Sequence, residues 1–194
     1  GSWAHQVDGA SATMLIYQEF LNWATFCDSK ALTVNILIEK SQDLWNALRP
    51  IEGCGRGKVI LRGTRFAAIC DAPTNPVQLF SVGNIKQDSF REEFLDLGGR
   101  ANAIEVTFTN KDKNYQRDTL TVYAADYDAG ATVKNPTQIT LDGITTAAQA
   151  YKEAAYRLRL NKYLTRTVSF DADVDAIACQ VGDVILVQHD VPQW

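Results

Sequence analysis

Much that would mark an active site is scarce in this sequence. It holds two histidines, His5 and His189, near opposite ends. The four cysteines, Cys27, Cys54, Cys70 and Cys179, form no CxxC pair. A zinc site needs clustered Cys or His ligands, so this spacing argues against a metal centre. The cysteines read instead as buried or half-buried thiols of a reducing compartment. No GxSxG, HExxH or SxxK string occurs, and no apolar run reaches the roughly eighteen residues that suggest a membrane span. Methionine occurs once, as Met14, and the Gly1-Ser2 start resembles the scar of a cleaved purification tag. With the plain ending Val191-Pro192-Gln193-Trp194, that start sets the expectation of a piece cut from a longer protein.

What is present suits a globular chain. An apolar share of 46% and a charged share of 22% over 194 residues are ordinary and allow a sizeable core. The net charge of -4 weighs against broad nucleic-acid binding.

Periodicity supplies the elements. Ile16, Phe20, Trp23, Ala24 and Cys27 fall at helical spacing and predict a helix over 11–28, capped by Ser11 or Thr13. Leu32, Val34, Ile36 and Ile38 alternate and predict a strand. Ser41 is the expected N-cap of a second helix carrying Leu44, Trp45 and Leu48, which Pro50 should end or kink. The Gly53-Cys54-Gly55-Arg56-Gly57 run follows a helix and opens a strand, the reverse of a phosphate-binding loop, so a flexible, glycine-capped helix end is expected. Lys58–Arg62 and Arg65–Cys70 then form a hairpin about Gly63-Thr64.

Asp71–Pro76 is the clearest linker and sets the expected boundary between domains 3–76 and 77–194. Beyond it, Val77–Ser81, a strand through Ile104, Val106 and Phe108, another through Leu120, Val122 and Ala124, and closing strands at Thr165–Phe170 and Val184–Val187 are expected. Thr146 and Gln149 form a capping-box pair for a helix running to about Asn161. Ala147, Tyr151, Ala154, Ala155 and Leu158 are its expected buried face, with Lys152, Glu153, Arg157 and Arg159 in solvent. This order is not a regular βαβ alternation, so the fold class is α+β.

Four possible sites are weighed. Asp171, Asp173 and Asp175 would share one face of a strand and could hold calcium, yet Ala176 and Gly182 stand where an EF-hand loop needs Gly and Glu, and a strand that ends early leaves a wet turn. Arg56, Lys58, Arg62 and Arg65 make the hairpin basic; a solvated outer face is preferred over a phosphate contact. Phe20, Trp23 and Trp45 are assigned to the core. Tyr115, Tyr123 and Tyr127 are the aromatics a carbohydrate-binding module would use. No catalytic residue, cofactor or metal ligand is assigned.

One family shares the order of these motifs. Ser41-Gln42-Asp43-Leu44-Trp45-Asn46-Ala47-Leu48, Gly55-Arg56-Gly57, Arg65-Phe66-Ala67-Ala68-Ile69, Val77-Gln78-Leu79-Phe80 with Gly83-Asn84-Ile85, Asn102-Ala103-Ile104-Glu105-Val106, Leu141-Asp142-Gly143-Ile144-Thr145-Thr146 and Val181-Gly182-Asp183-Val184-Ile185 together resemble the central hub region of the phage tail tip attachment (host-specificity) family, over residues 12 to 190. That family is similar to the baseplate hub proteins of tailed phages. The resemblance implies a small helix-strand-helix-hairpin domain attached to a β-barrel-like hub domain with one inserted helix. It implies a non-enzymatic virion component, assembled in the bacterial cytoplasm as a homotrimer with other tail tip and tail tube proteins, with host receptor contact made by regions outside this chain. A carbohydrate-binding host-recognition module and a calcium-dependent assembly domain are the alternatives.

Overall fold

The computed structural model describes residues 14–95, 100–128, 130 and 134–190, with Asp175 described through its backbone alone. His5, the caps Ser11 and Thr13, and both chain ends lie outside the described residues. In chain order the elements are α1 (Tyr17–Lys30), α2 (Leu44–Gly55), β1 (Gly57–Arg62), β2 (Arg65–Cys70), β3 (Gln78–Phe80), β4 (Arg91–Phe94), β5 (Ala103–Asn110), β6 (Gln116–Tyr123), β7 (Pro136–Leu141), α3 (Ala147–Tyr163), β8 (Arg166–Ser169) and β9 (Ile185–Val187). The mixed, non-alternating order is that of an α+β chain. It divides into two compact units, one of residues 1–71 with 101–159 and one of residues 72–100 with 160–194. Each unit takes two separate stretches, so compactness does not follow a linear split at Pro76.

The first unit is built on β5. Ile104, Val106, Phe108 and Asn110 are buried on alternate positions while Glu105, Thr107 and Thr109 are half-buried, the period-2 signature of a strand with one face on a core. β6 pairs with it antiparallel and β7 parallel, giving the order β6-β5-β7. Phe108, Val106, Val122, Leu141 and Ile144 meet Ala150, Ala154 and Leu158 of α3 in one cluster, joined by Cys54 from α2. Each fully buried side chain of the Val, Ile, Leu or Phe type contributes about 1.5–3 kcal/mol. The alanines let α3 lie close to the sheet. Its buried face is the expected one in part: Ala154 and Leu158 are buried and Ala155 packs against the cluster, but Gln149, Ala150 and Glu153 are buried as well, whereas Ala147 and Tyr151 are exposed.

The hairpin β1–β2 keeps its expected register, Gly57 opposite Cys70 and Arg62 opposite Arg65, around Gly63 at φ +62°. Only glycine takes that angle freely, and it turns the chain with the twist of the strands. α1 packs on β2 through Trp23 and Phe26, with Phe20 half-buried and Ala24 exposed. α2 starts two residues later than expected. Its N-cap is Asp43, not Ser41, and the Asp43 carboxylate accepts the Trp45 N–H at 3.0 Å. The helix runs through Pro50 to Gly55. Pro50 lacks only the donor that the Asn46 carbonyl would receive, and Asn46 is exposed. Trp45, assigned to the core, is 41% exposed although its ring leans on Phe66.

Residues 32–38 form no strand. The alternation is there, but among the described residues no neighbouring strand pairs with it. The Gln149 amide does so instead: it accepts from Thr33 Oγ1 at 2.9 Å and donates to Thr33 O at 2.8 Å, while Asn35 N–H reaches Gly143 O at 2.8 Å. This also halves the expected capping box. Thr146 Oγ1 still accepts the Gln149 N–H at 3.4 Å, but the Gln149 side chain is committed elsewhere.

In the second unit β3 pairs parallel with β9, and β4 antiparallel with β8. Phe80 and Ile85 are buried, and Phe170 packs against both Phe80 and Phe90. Among the described residues, three sheets have two strands and one has three, and none closes into a barrel.

Candidate functional site

The densest polar arrangement lies in the first unit, around the glycine run. Gly55 and Gly57 form a slot for the indole of Trp23, whose Nε1–H donates to Gly55 O at 2.8 Å. A Cβ on Gly55 would lie 2.9 Å from the indole, and one on Gly57 only 2.3 Å from it. The run is thus a close-approach surface, where a flexible helix end was expected. The left-handed cap of α2 is Arg56, at φ 49° and ψ 40°, and not a glycine.

That backbone turn aims the Arg56 side chain at α3. Its Nε donates to Glu153 Oε1 at 2.9 Å, its second guanidinium nitrogen lies 2.8 Å from the same oxygen, and its plane covers the Tyr156 ring at 3.9 Å. The Tyr156 hydroxyl donates to the Asp71 carboxylate, and Asp71 N–H returns to Arg56 O. Glu153, expected in solvent, has a side chain only 1% exposed. The cluster ties the end of α2, the end of β2 and the middle of α3 together. Sequence reasoning missed it because Arg56 and Glu153 are 97 positions apart.

The thiols and the phenol here favour their protonated forms. Burial, reinforced by Glu153, pushes Cys54 up to about 11. Burial and the Asp71 hydrogen bond push Tyr156 up to about 12. Burial also raises Cys27, with Cys70 adding to the shift. A thiol held protonated is a poor nucleophile. Both larger shifts are upward, so the folded state holds these protons beyond the pH at which the unfolded chain releases them. Stability is therefore unaffected below about pH 9, and falls as pH rises from 9.0 toward 11 for Cys54 and from 10.0 toward 12 for Tyr156. Thermal melting from pH 8 to 11 checks this: the melting temperature should drop above about pH 9, and Cys54→Ala should flatten the first part of the drop. A wild-type curve level to pH 11 would refute it.

A groove of about 760 Å³ opens beside this cluster, between residues 36–40, α2 and the end of β7. Ile36, Leu37, Pro50 and Leu141 give it apolar walls, and Lys40, Arg49 and Arg157 give it cations.

The other sequence candidates fall apart in space or chemistry. β8 ends at Ser169, before Asp171, and Asp175 sits in a 3-10 turn over Val174–Ala178, so no strand face gathers the aspartates. Among the described residues no group of three or more His, Cys, Asp or Glu side chains is placed to hold a metal ion. Two of the four hairpin cations are engaged, Arg56 with Glu153 and Arg62 with Glu19 at 2.6 Å; Lys58 and Arg65 are exposed. His189 stacks on Phe90 with centroids 4.0 Å apart. Tyr123 and Tyr127 stack at 4.7 Å. Tyr115 lies beyond the other end of β6, about 26 Å away at ~3.3 Å per residue, so the three tyrosines do not form one platform. No helix among the described residues is long and apolar enough to cross a membrane.

The fold has counterparts among solved structures. A chain of the native gene transfer agent virion superposes with a TM-score of 0.59 at 12% identity, over 86% of this chain and 40% of that one. The 43 kDa tail protein of prophage MuSo2 from Shewanella oneidensis gives 0.54 at 13% identity, over 89% and 56%. These likenesses show the fold. The family described as "Putative phage tail protein" matches residues 48–194, and the chain belongs to that family. Tip attachment protein J of Escherichia phage SECphi27 is 25% identical over 156 residues, 79% of this chain and 13% of that protein. The chain spans about an eighth of the length of that curated relative. The resemblance carried by the ordered motifs is borne out, and the chain is a structural component of a virion tail.

Proposed function

We propose that the chain forms part of the hub at the distal end of the tail, packing with other tail tip and tail tube proteins and linking the tube to receptor-binding parts. The observation that supports it most directly is the outer face of β3–β9. Leu79 and Leu186 sit opposite each other in the ladder, and Val77 and Val184 share their side by alternation. All four are exposed. Parallel strands are nearly always covered on both faces, and a two-stranded sheet alone is marginal. Such a pair suits a surface that assembly covers. In this reading the hub is a homotrimer, its role is packing and not catalysis, and the barrel expected of residues 77–194 closes only when neighbouring copies add strands to the open edges. Receptor contact is left to regions outside this chain. Light scattering on the full-length protein that carries this sequence should give three times the protomer mass; a monomer would overturn the reading.

A carbohydrate-binding role has one observation in its favour, the partly exposed stack of Tyr123 on Tyr127 with Lys134 Nζ 5.8 Å from the Tyr123 ring. Stacked aromatics beside polar groups suit sugar faces. A glycan array probed with this chain decides it, and silence across the array removes it.

A further inference from the structure

The groove of the first unit has more unmet bonding capacity than a surface furrow needs. Among the described residues, the main-chain groups of Ile36, Leu37 and Ile38 make no hydrogen bond. Thr33 and Asn35 spend theirs on Gln149 and Gly143, leaving the segment beyond them open. Across the groove, Pro50 cannot supply the donor that the Asn46 carbonyl would take inside α2. β7, which ends in the groove at Thr140 and Leu141, is an edge strand, because the sheet order is β6-β5-β7. Open donors and acceptors along an apolar trough are what an added strand satisfies. Leu37 is 81% exposed and would be covered by it.

The charge of the groove says which strand. Lys40, Arg49 and Arg157 line it against Glu39 and Asp142, three cations to two carboxylates, in a chain whose net charge is -4. None of these three cations is held in an ion pair among the described residues. One strand of the chain carries an exposed carboxylate, Glu93, next to an exposed aromatic ring, Phe94, while its Glu92 is already paired with Arg166. Among the described residues β4, Arg91-Glu92-Glu93-Phe94, followed by Leu95, pairs only with β8 and leaves its other edge open. Phe94 is 71% exposed, and Glu93 and Leu95 are exposed too. Five residues, 91–95, span at most about 17 Å, the same reach as the five that border the groove, 36–40.

We infer that this groove receives β4 of a second copy of the chain. The inference rests on the hub reading and names one contact by which copies would join. Phe94 enters beside Ile36 and Pro50, Glu93, on the opposite face of the strand, meets the exposed cations Lys40 and Arg49 at the rim, and the main chain of β4 pairs with residues 36–38. The contact is heterologous, a groove on one copy with a strand on the next, the type of contact that builds a ring where the rotation between copies closes.

Sedimentation equilibrium of the 194-residue chain tests it, with circular dichroism and thermal melting confirming that each variant is folded. Reversible self-association is expected. Phe94→Glu and Leu37→Glu should each weaken it by at least about tenfold, since both remove apolar anchors from the contact. Arg49→Glu should weaken it comparably, and adding Glu93→Arg to the same chain should restore most of the loss, about tenfold, by exchanging the charges. A chain monomeric at all concentrations, or association indifferent to Phe94→Glu and Arg49→Glu, overturns the inference. If the full-length protein is a trimer while the chain ignores these changes, the hub reading stands and this contact falls; a monomeric full-length protein removes the hub reading itself.

Discussion

Glu153→Ala should destabilise the first unit by about 3–5 kcal/mol, the usual result of stripping one partner from a buried ion pair. Glu153 is 1% exposed and Arg56 13% by side chain, so the guanidinium left behind has little access to water. Arg56 also cannot swing away cheaply, because its left-handed backbone and its seat over Tyr156 fix its direction. Urea unfolding followed by circular dichroism measures the loss. Replacing both partners with apolar residues of similar volume, Arg56→Met with Glu153→Leu, should recover most of it, because the desolvation of both charges then disappears together. A double variant as unstable as the single one would mean that the pair contributes more than it costs to bury.

Gly57→Ala is the second large effect. The new methyl would sit 2.3 Å from the Trp23 indole, well inside contact distance. The ring has no free direction: it is buried against Gly55 and Gly57, and its N–H is bonded to Gly55 O. Overpacking of this kind costs about 1–3 kcal/mol, and more when a hydrogen bond breaks with it. Trp23 fluorescence should shift to the red as the indole is pushed toward water. Gly63→Ala serves as a contrast, since nothing lies within 4 Å of a Cβ there and only its φ of +62° is strained. If Gly57→Ala proves no worse than Gly63→Ala, the slot does not hold the indole.

The elements that could be anticipated are those whose signal is local. β5 announces itself because every second side chain is apolar, and the hairpin because Gly63-Thr64 sits between two apolar runs. Residues 32–38 carry the same alternation, yet the partner that satisfies Thr33 is a glutamine 116 positions away, which no window of sequence contains. The buried face of α3 departs in part from its apolar pattern for a related reason. Tyr151 and Ala147 look apolar enough to face inward, but Glu153 takes that side because Arg56 waits there, and the charge alone pointed outward. The glycine run shows the limit from the other direction: it marked a special backbone site, but only the indole of Trp23 says what the space is for.

The first unit is interrupted by the second, and this sets a timetable for its folding. Arg56 leaves the ribosome 97 residues before Glu153, roughly 5–20 s earlier at ordinary rates of synthesis. Until α3 emerges, the guanidinium, the exposed side of β5 and the Thr33 backbone all lack their native partners. β3 waits in the same way for β9, which follows it by about a hundred residues. Neither unit can finish until its second stretch is made, so the nascent chain exposes unpaired strands in the interval. On the hub reading, contacts that stabilise the finished particle would also shorten the time its unfinished form spends open to aggregation.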